Sequence, residues 1–159
     1  MCHGTEGFGM ALDTIVLALG SRDTERTGRL AGFVADIAGP TGADVVLFHA
    51  FTEEEFEGAI DRIDYEFSGR PGADDVAERL SVVRDTANDL RASGVELTVR
   101  GAVGEHAETI VESARTARAD LLVIGGRRRS PTGKVVFGST AQEVLLESPC
   151  PVTFVRDPV

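Results

Sequence analysis

The sequence predicts a single doubly wound α/β domain, a five-stranded parallel sheet with helices on both faces, and three observations carry that expectation. Short, continuous apolar runs rich in β-branched residues alternate with segments whose apolar residues recur at 3.6-residue spacing. Glycine or proline sits where one period gives way to the other. The chain has 159 residues, 42% of them hydrophobic and 26% charged, which suits one globular domain rather than two. Strand and helix alternating in this way close into right-handed crossovers on a parallel sheet.

Residues 1–10 add no periodic residue and are expected to be a flexible extension ahead of a domain spanning 11–159. Residues 13–20 are too short for a helix and too continuously apolar for a half-exposed strand, so they predict a central strand buried on both faces. From Thr24 the spacing of Leu30, Phe33, Val34, Ile37 and Ala38 predicts a helix, with Gly39-Pro40 as its stop. Residues 44–51 form the second buried run. Residues 52–72 exceed the usual two to six residues of such a connection and predict a helical turn followed by a mobile loop. A helix over 74–92 ends at Ser93-Gly94. Strands at 95–99, 121–124 and 151–155 then alternate with helices at 105–117 and 139–147.

The 26 acidic residues against 16 basic ones give a net charge of -10, and Lys134 is the sole lysine. A field of this sign repels phosphate backbones and anionic lipid, so nucleic-acid and membrane-surface binding are not expected. Abundant short carboxylates with almost no lysine also predict adaptation to high salt, where charge is screened over only about 3 Å at 1 M. Cys2 and Cys150 make no disulfide framework, no apolar run approaches a membrane span, and the first residues lack a signal-peptide pattern, so a cytoplasmic location is expected.

In doubly wound sheets, ligands bind beyond the carboxyl ends of the strands, where strand order reverses. The segment running from Gly125 and Gly126 through Arg127, Arg128 and Arg129 to Gly138, Ser139 and Thr140 lies at such an end. Its paired glycines admit a ligand close to the backbone, and Gly138-Ser139-Thr140 opens a helix whose free N–H groups suit an anion. Four of the 16 basic residues fall between those two elements. The alternative is that Ser139 merely caps a helix and the arginines pair with surface carboxylates. Gly133-Lys134 is not a P-loop, because Arg128 stands where its first glycine belongs and Val135 follows the lysine.

The segment resembles the G-x2-G-x9-G-[ST] motif of the universal stress protein family, and the resemblance runs from about Leu12 to Arg156. It includes Leu47-Phe48-His49-Ala50, the stretch from Ala119 to Gly125 and the tail from Glu147 to Arg156. What it implies is a sheet of order 3-2-1-4-5, a homodimer through the last strand (Pro151, Val152, Thr153, Phe154 and Val155), and ATP with accompanying Mg2+ in some members. By the same resemblance Gly125, Gly138 and Ser139 match the phosphate positions, Ala50 the adenine position, and Ala18 and Leu19 the end of strand one beside the nucleoside. Two positions depart from the family pattern. Arg128 replaces the motif's second glycine and either blocks the phosphate path or places a guanidinium on the anion, while Leu19 stands where an Asp is expected.

Elsewhere, His49 reads as a satisfied polar tip of a buried strand, His106 as a helix-start residue, and Cys150 as packed at a strand entrance. Cys2-His3 in the N-terminal segment does not make a zinc site. The acidic run around Glu53, Glu54, Glu55 and Glu57 reads as a solvated face rather than a metal cluster, so no metal site is expected beyond Mg2+ carried by a nucleotide. No nucleophile with a base, and no carboxylate pair, is evident from spacing, so turnover is expected at most as slow ATP hydrolysis or autophosphorylation. The leading expectation is a stress-associated dimer binding an adenine nucleotide or another phosphate-bearing small molecule. The runner-up is a dimeric scaffold that takes no nucleotide.

Overall fold

The computed structural model describes residues 11–63, 66–126 and 138–156. The expected extension at 1–10, and Arg127, Arg128 and the rest of 127–137, lie outside the described residues. Five strands, β1 (Thr14–Leu19), β2 (Asp44–Phe51), β3 (Leu97–Val103), β4 (Leu121–Gly126) and β5 (Val152–Arg156), form one sheet of order β3-β2-β1-β4-β5, with every pairing parallel. The expected fold class and strand order are those observed.

Alternation along the strands divides the core in two. Ile15, Leu17 and Leu19 of β1 and Val45, Leu47 and Phe51 of β2 meet α1 (Thr27–Thr41), α2 (Glu53–Arg62), α3 (Ala73–Glu78) and α4 (Ser81–Ala92). Val16, Ala18, Phe48 and Ala50 face the other way, toward α5 (His106–Thr116) and α6 (Ser139–Glu147). Continuous apolar runs were therefore the correct signature of a sheet covered on both faces.

Several boundaries differ from those expected, four of them with a clear physical reason. Helix α1 continues through Pro40 and ends at Gly42, whose left-handed backbone (φ 72°) lets its N–H reach the Ala38 carbonyl at 2.9 Å. Gly39 has no Cβ to meet the proline ring, so the Gly39-Pro40 pair bends no stop into the chain. The helix expected over 74–92 is two helices broken at Arg79 and Leu80, because α3 docks on the sheet edge, where Asp74 Oδ1 accepts the Gly101 N–H at 2.7 Å, while α4 packs on α1. One straight helix cannot satisfy both contacts.

Strand β3 begins at Leu97 rather than Val95, since the Val95 N–H closes the preceding helix onto the Leu90 carbonyl at 3.0 Å, and it runs on to Val103. After β2 stands a ten-residue helix, α2, in place of a single turn. Thr52 and Glu55 cap it reciprocally, and Glu53, Glu54 and Glu55 occupy its first turn, where carboxylates favour the helix dipole. Phe56 and Ala59 are its buried face.

Candidate functional site

The ladder between β1 and β4 ends at the pair Ala18 and Ile124. Past it the chain diverges, since β1 leads to helices on one face of the sheet and β4 to α6 on the other. This is the switch point of the doubly wound sheet, the place such folds use for ligands. Ala18 and Ala50 both face α5 and α6, and α6 begins with Ser139 and Thr140 on the same side of the sheet. Leu19 points to the opposite face and is buried in the α1-side core, so its side chain presents nothing polar to the crevice.

At the α6 terminus the cap is Gly138, in extended backbone, which has no side chain to offer the first turn. Ser139 is thus the first helical residue and not the cap that the plainer reading supposed. The first backbone bond of the helix is from Gln142 N–H to the Gly138 carbonyl at 3.0 Å, which leaves the amides of Ser139, Thr140 and Ala141 without an intrahelical partner. Three convergent donors at the positive end of a nine-residue helix fit a phosphate. Gly125 and Gly126 extend β4 by pairing with Val155 and Arg156 of β5. A Cβ on Gly126 would overlap the Phe154 ring, and one on Gly125 would stand 2.7 Å from Asp23 Oδ1, so both positions need glycine for close packing as well as for any ligand.

A 3-10 turn, Ser21–Arg26, follows β1 and buries two charges that sequence reasoning passed over. Asp23 is 5% exposed and Arg26 7%, and they are ion-paired through Asp23 Oδ1 and Arg26 Nη1. Asp23 Oδ2 also accepts the Gly20 N–H at 2.7 Å, and Arg26 Nη1 donates to the Arg22 carbonyl at 3.1 Å. Charges at i and i+3 usually mark a solvated helix face. Here the only hint of burial was their place directly after Gly20 at the end of a central strand.

His49 lies within the buried part of β2, with Ala50 and Phe51 buried after it, and is 6% exposed; its Nδ1 has no hydrogen-bond partner among the described residues, so it is not the satisfied tip that was expected. Burial pushes its pKa down; a bond to the Leu19 backbone and the charges of Glu55 and Asp23 oppose that, His106 adds to it, and the net direction is down. His106 opens α5 as expected, behind the cap Glu105, and its Nε2 lies 2.6 Å from Glu55 Oε1, tying α5 to α2. Burial alone would raise the Glu55 carboxyl, but the Thr52 amide and His106 outweigh it and hold it below its ordinary value. Cys150 is half-buried against the α5-side core and bonded to Ser148.

Among the described residues no three His, Cys, Asp or Glu side chains are grouped to hold a metal ion, and no helix is long and apolar enough to cross a membrane. A groove of about 760 Å3 opens beside α5, lined by Val46, Phe48, Arg100 and Glu112 among others. It reaches the amino ends of β1 and β2 at Thr14 and Asp44, away from the glycine end of β4.

Residues 12–156 match the model of the universal stress protein family. The chain belongs to that family. A universal stress protein of Mycolicibacterium smegmatis is 43% identical over 79 residues, which cover 49% of this chain and 61% of that relative, less than two thirds of its length. One of Thermus aquaticus is 29% identical over 149 residues, covering 90% of this chain and 98% of the relative. Among solved structures, a universal stress protein of Archaeoglobus fulgidus is similar with a TM-score of 0.67 at 29% identity, covering 90% of this chain and 98% of its own. A universal stress protein of the same organism in complex with dAMP has a TM-score of 0.62 at 24% identity, covering 92% and 99%, a likeness of fold.

Proposed function

We propose that this universal stress protein binds an adenine nucleotide or another phosphate-bearing small molecule at the 125–140 loop, in a stress-associated role. The observation that carries this reading is the first turn of α6, whose three amides have no intrahelical partner and whose cap, Gly138, has no side chain to offer them. The dAMP complex of the Archaeoglobus relative supports it. ATP, with Mg2+ brought along by its phosphates, is the first nucleotide to try, and the residues touching phosphate are Gly125, Gly126, Ser139 and Thr140, with Ala18 and Ala50 flanking the base. The scaffold reading is favoured by one observation, the buried apolar Leu19 in place of a carboxylate. Arg128→Gly separates its two roles: weaker ATP binding, by about 1.5–3 kcal/mol, marks an anion contact, and stronger binding marks a blocked path.

The same proposal includes a cytoplasmic homodimer through residues 151–155. Strand β5 is an edge of the sheet, and an unpaired edge is satisfied by its symmetry mate. Helix α6 also exposes Leu145 and Leu146, the large hydrophobics exposed among the described residues. Two readouts on purified protein test the whole proposal. Nucleotide released on denaturation, and a dimer mass by light scattering in high salt, support it; nucleotide-free protein favours the scaffold, and a monomer at micromolar concentration removes the dimer.

A further inference from the structure

Asp23 and Arg26 are unusual for their place. Taking two charges out of water is costly, and a buried pair is rarely kept for stability alone, since apolar replacements often do as well. The pair lies where the sheet stops holding itself together: β1 and β4 share no ladder residue beyond Ala18 and Ile124. Gly20 on one side and Gly125 on the other fall beyond that last rung, at the mouth of the candidate site. The Asp23 carboxylate touches both. One oxygen takes the Gly20 N–H at 2.7 Å, and the other packs against Gly125 so closely that a Cβ there would stand only 2.7 Å from it. Arg26 closes the arrangement by holding that second oxygen, with its Cδ 3.1 Å from the same Cβ position. A simple cap of the 3-10 turn needs neither the guanidinium nor the contact with β4.

We propose that the Asp23–Arg26 pair is a brace that sets the separation of the β1 and β4 ends, and that Asp23 is therefore a positioning residue for the phosphate-bearing ligand. The inference rests on the binding reading given above. It also explains how Leu19 is tolerated: the carboxylate at the end of β1 stands four residues later, on the α1 face, and acts on the ligand through Gly125 instead of touching it.

The test uses Asp23→Asn, which keeps an acceptor for the Gly20 N–H while removing the charge that holds Arg26. ATP is titrated calorimetrically into wild type, Asp23→Asn and Val83→Ala, the last a core variant in α4 that controls for lost stability. The brace predicts ATP binding weakened about tenfold or more in Asp23→Asn, as when a partner orienting a ligating group is lost, with Val83→Ala unchanged. It also predicts shifted amide NMR signals of Gly20 and Gly125 in ligand-free Asp23→Asn. Wild-type binding with Asp23→Asn within twofold overturns the brace and leaves the binding reading standing. A wild type that binds no ATP removes the nucleotide part of the binding reading, and the brace is then decided by the NMR signals alone, with unshifted Gly20 and Gly125 overturning it. Should Asp23→Asn fail to fold, Arg26→Lys, which keeps the charge but loses the planar fork, carries the same expectations and the same refutation.

Discussion

Replacing Gly101 with Ala tests whether α3 is fixed on the sheet edge as described. A Cβ there would lie 2.5 Å from the Ala73 carbonyl oxygen, 2.9 Å from its carbon and 3.2 Å from the Ala77 Cβ. The first two obstacles are backbone at the start of α3, and Val76 and Ala77 behind them are fully buried, so no side chain can swing aside. Relief requires moving the helix by about the overlap, which stretches the Asp74 to Gly101 bond; an overpacked contact costs ~1–3 kcal/mol, and a lost bond to a charged group costs a similar amount. With the two alternatives sharing one displacement, about 2–3 kcal/mol is expected. For a chain of this size that lowers the thermal midpoint by about 4–12 °C. The control is Gly32→Ala, in the exposed middle of α1 with nothing within 4 Å of the added methyl, which should stabilise by ~0.5–1 kcal/mol. Circular-dichroism melts decide it: a Gly101→Ala midpoint at or above that of wild type would refute the reasoning.

Other outcomes follow from the site's titrating groups and from charge. His49 has a folded pKa below its unfolded value of about 6.5, so in the window beneath that the unfolded chain binds the extra proton and stability falls as pH falls. His49→Phe should flatten the slope of stability between about pH 6.5 and 5, and an unchanged slope would contradict the assignment. Glu55 is depressed, so its contribution is present above the ordinary carboxylate value and is lost as pH falls through its lower folded value. Glu55→Gln should cost about 0.5–1 kcal/mol at pH 7, given how exposed the pair is, and the difference from wild type should vanish in strong acid; a deficit that persists there means the glutamate acts by shape. With a net charge of -10, the melting midpoint should rise from low to molar KCl, and a flat or falling midpoint would remove salt adaptation as the reason for the composition.

Where one physical requirement shaped a segment, the sequence was easy to read. The run from Thr14 to Leu19 serves nothing but burial on two faces, and it is the central strand. Where two requirements compete, local pattern misled. Val76 and Leu90 share one apparent helical stripe, yet they belong to helices docked on different partners, and that division comes from Asp74 finding Gly101, 27 residues away. Pro40 looked like a stop because its ring opposes a helix, but a glycine before it and the left-handed Gly42 after it moved the end by one turn. At the candidate site, the motif singles out the glycines and Ser139 as the residues to test. Asp23 was not, because burial of a charge at i beside its partner at i+3 depends on where β4 ends, and no local spacing records that.

In the proposed binding mode, the amides at the ends of β4 and α6 hold the phosphate. Amide NMR spectra recorded while ATP, and separately inorganic pyrophosphate, are added test it directly, because they report residue by residue. Saturable shifts are expected for both anions at Gly125, Gly126, Ser139 and Thr140, with ATP alone also moving Ala50. Spectra unchanged at millimolar ATP, or shifts confined to the groove beside α5 at Thr98, Arg100 and Glu112, would contradict it.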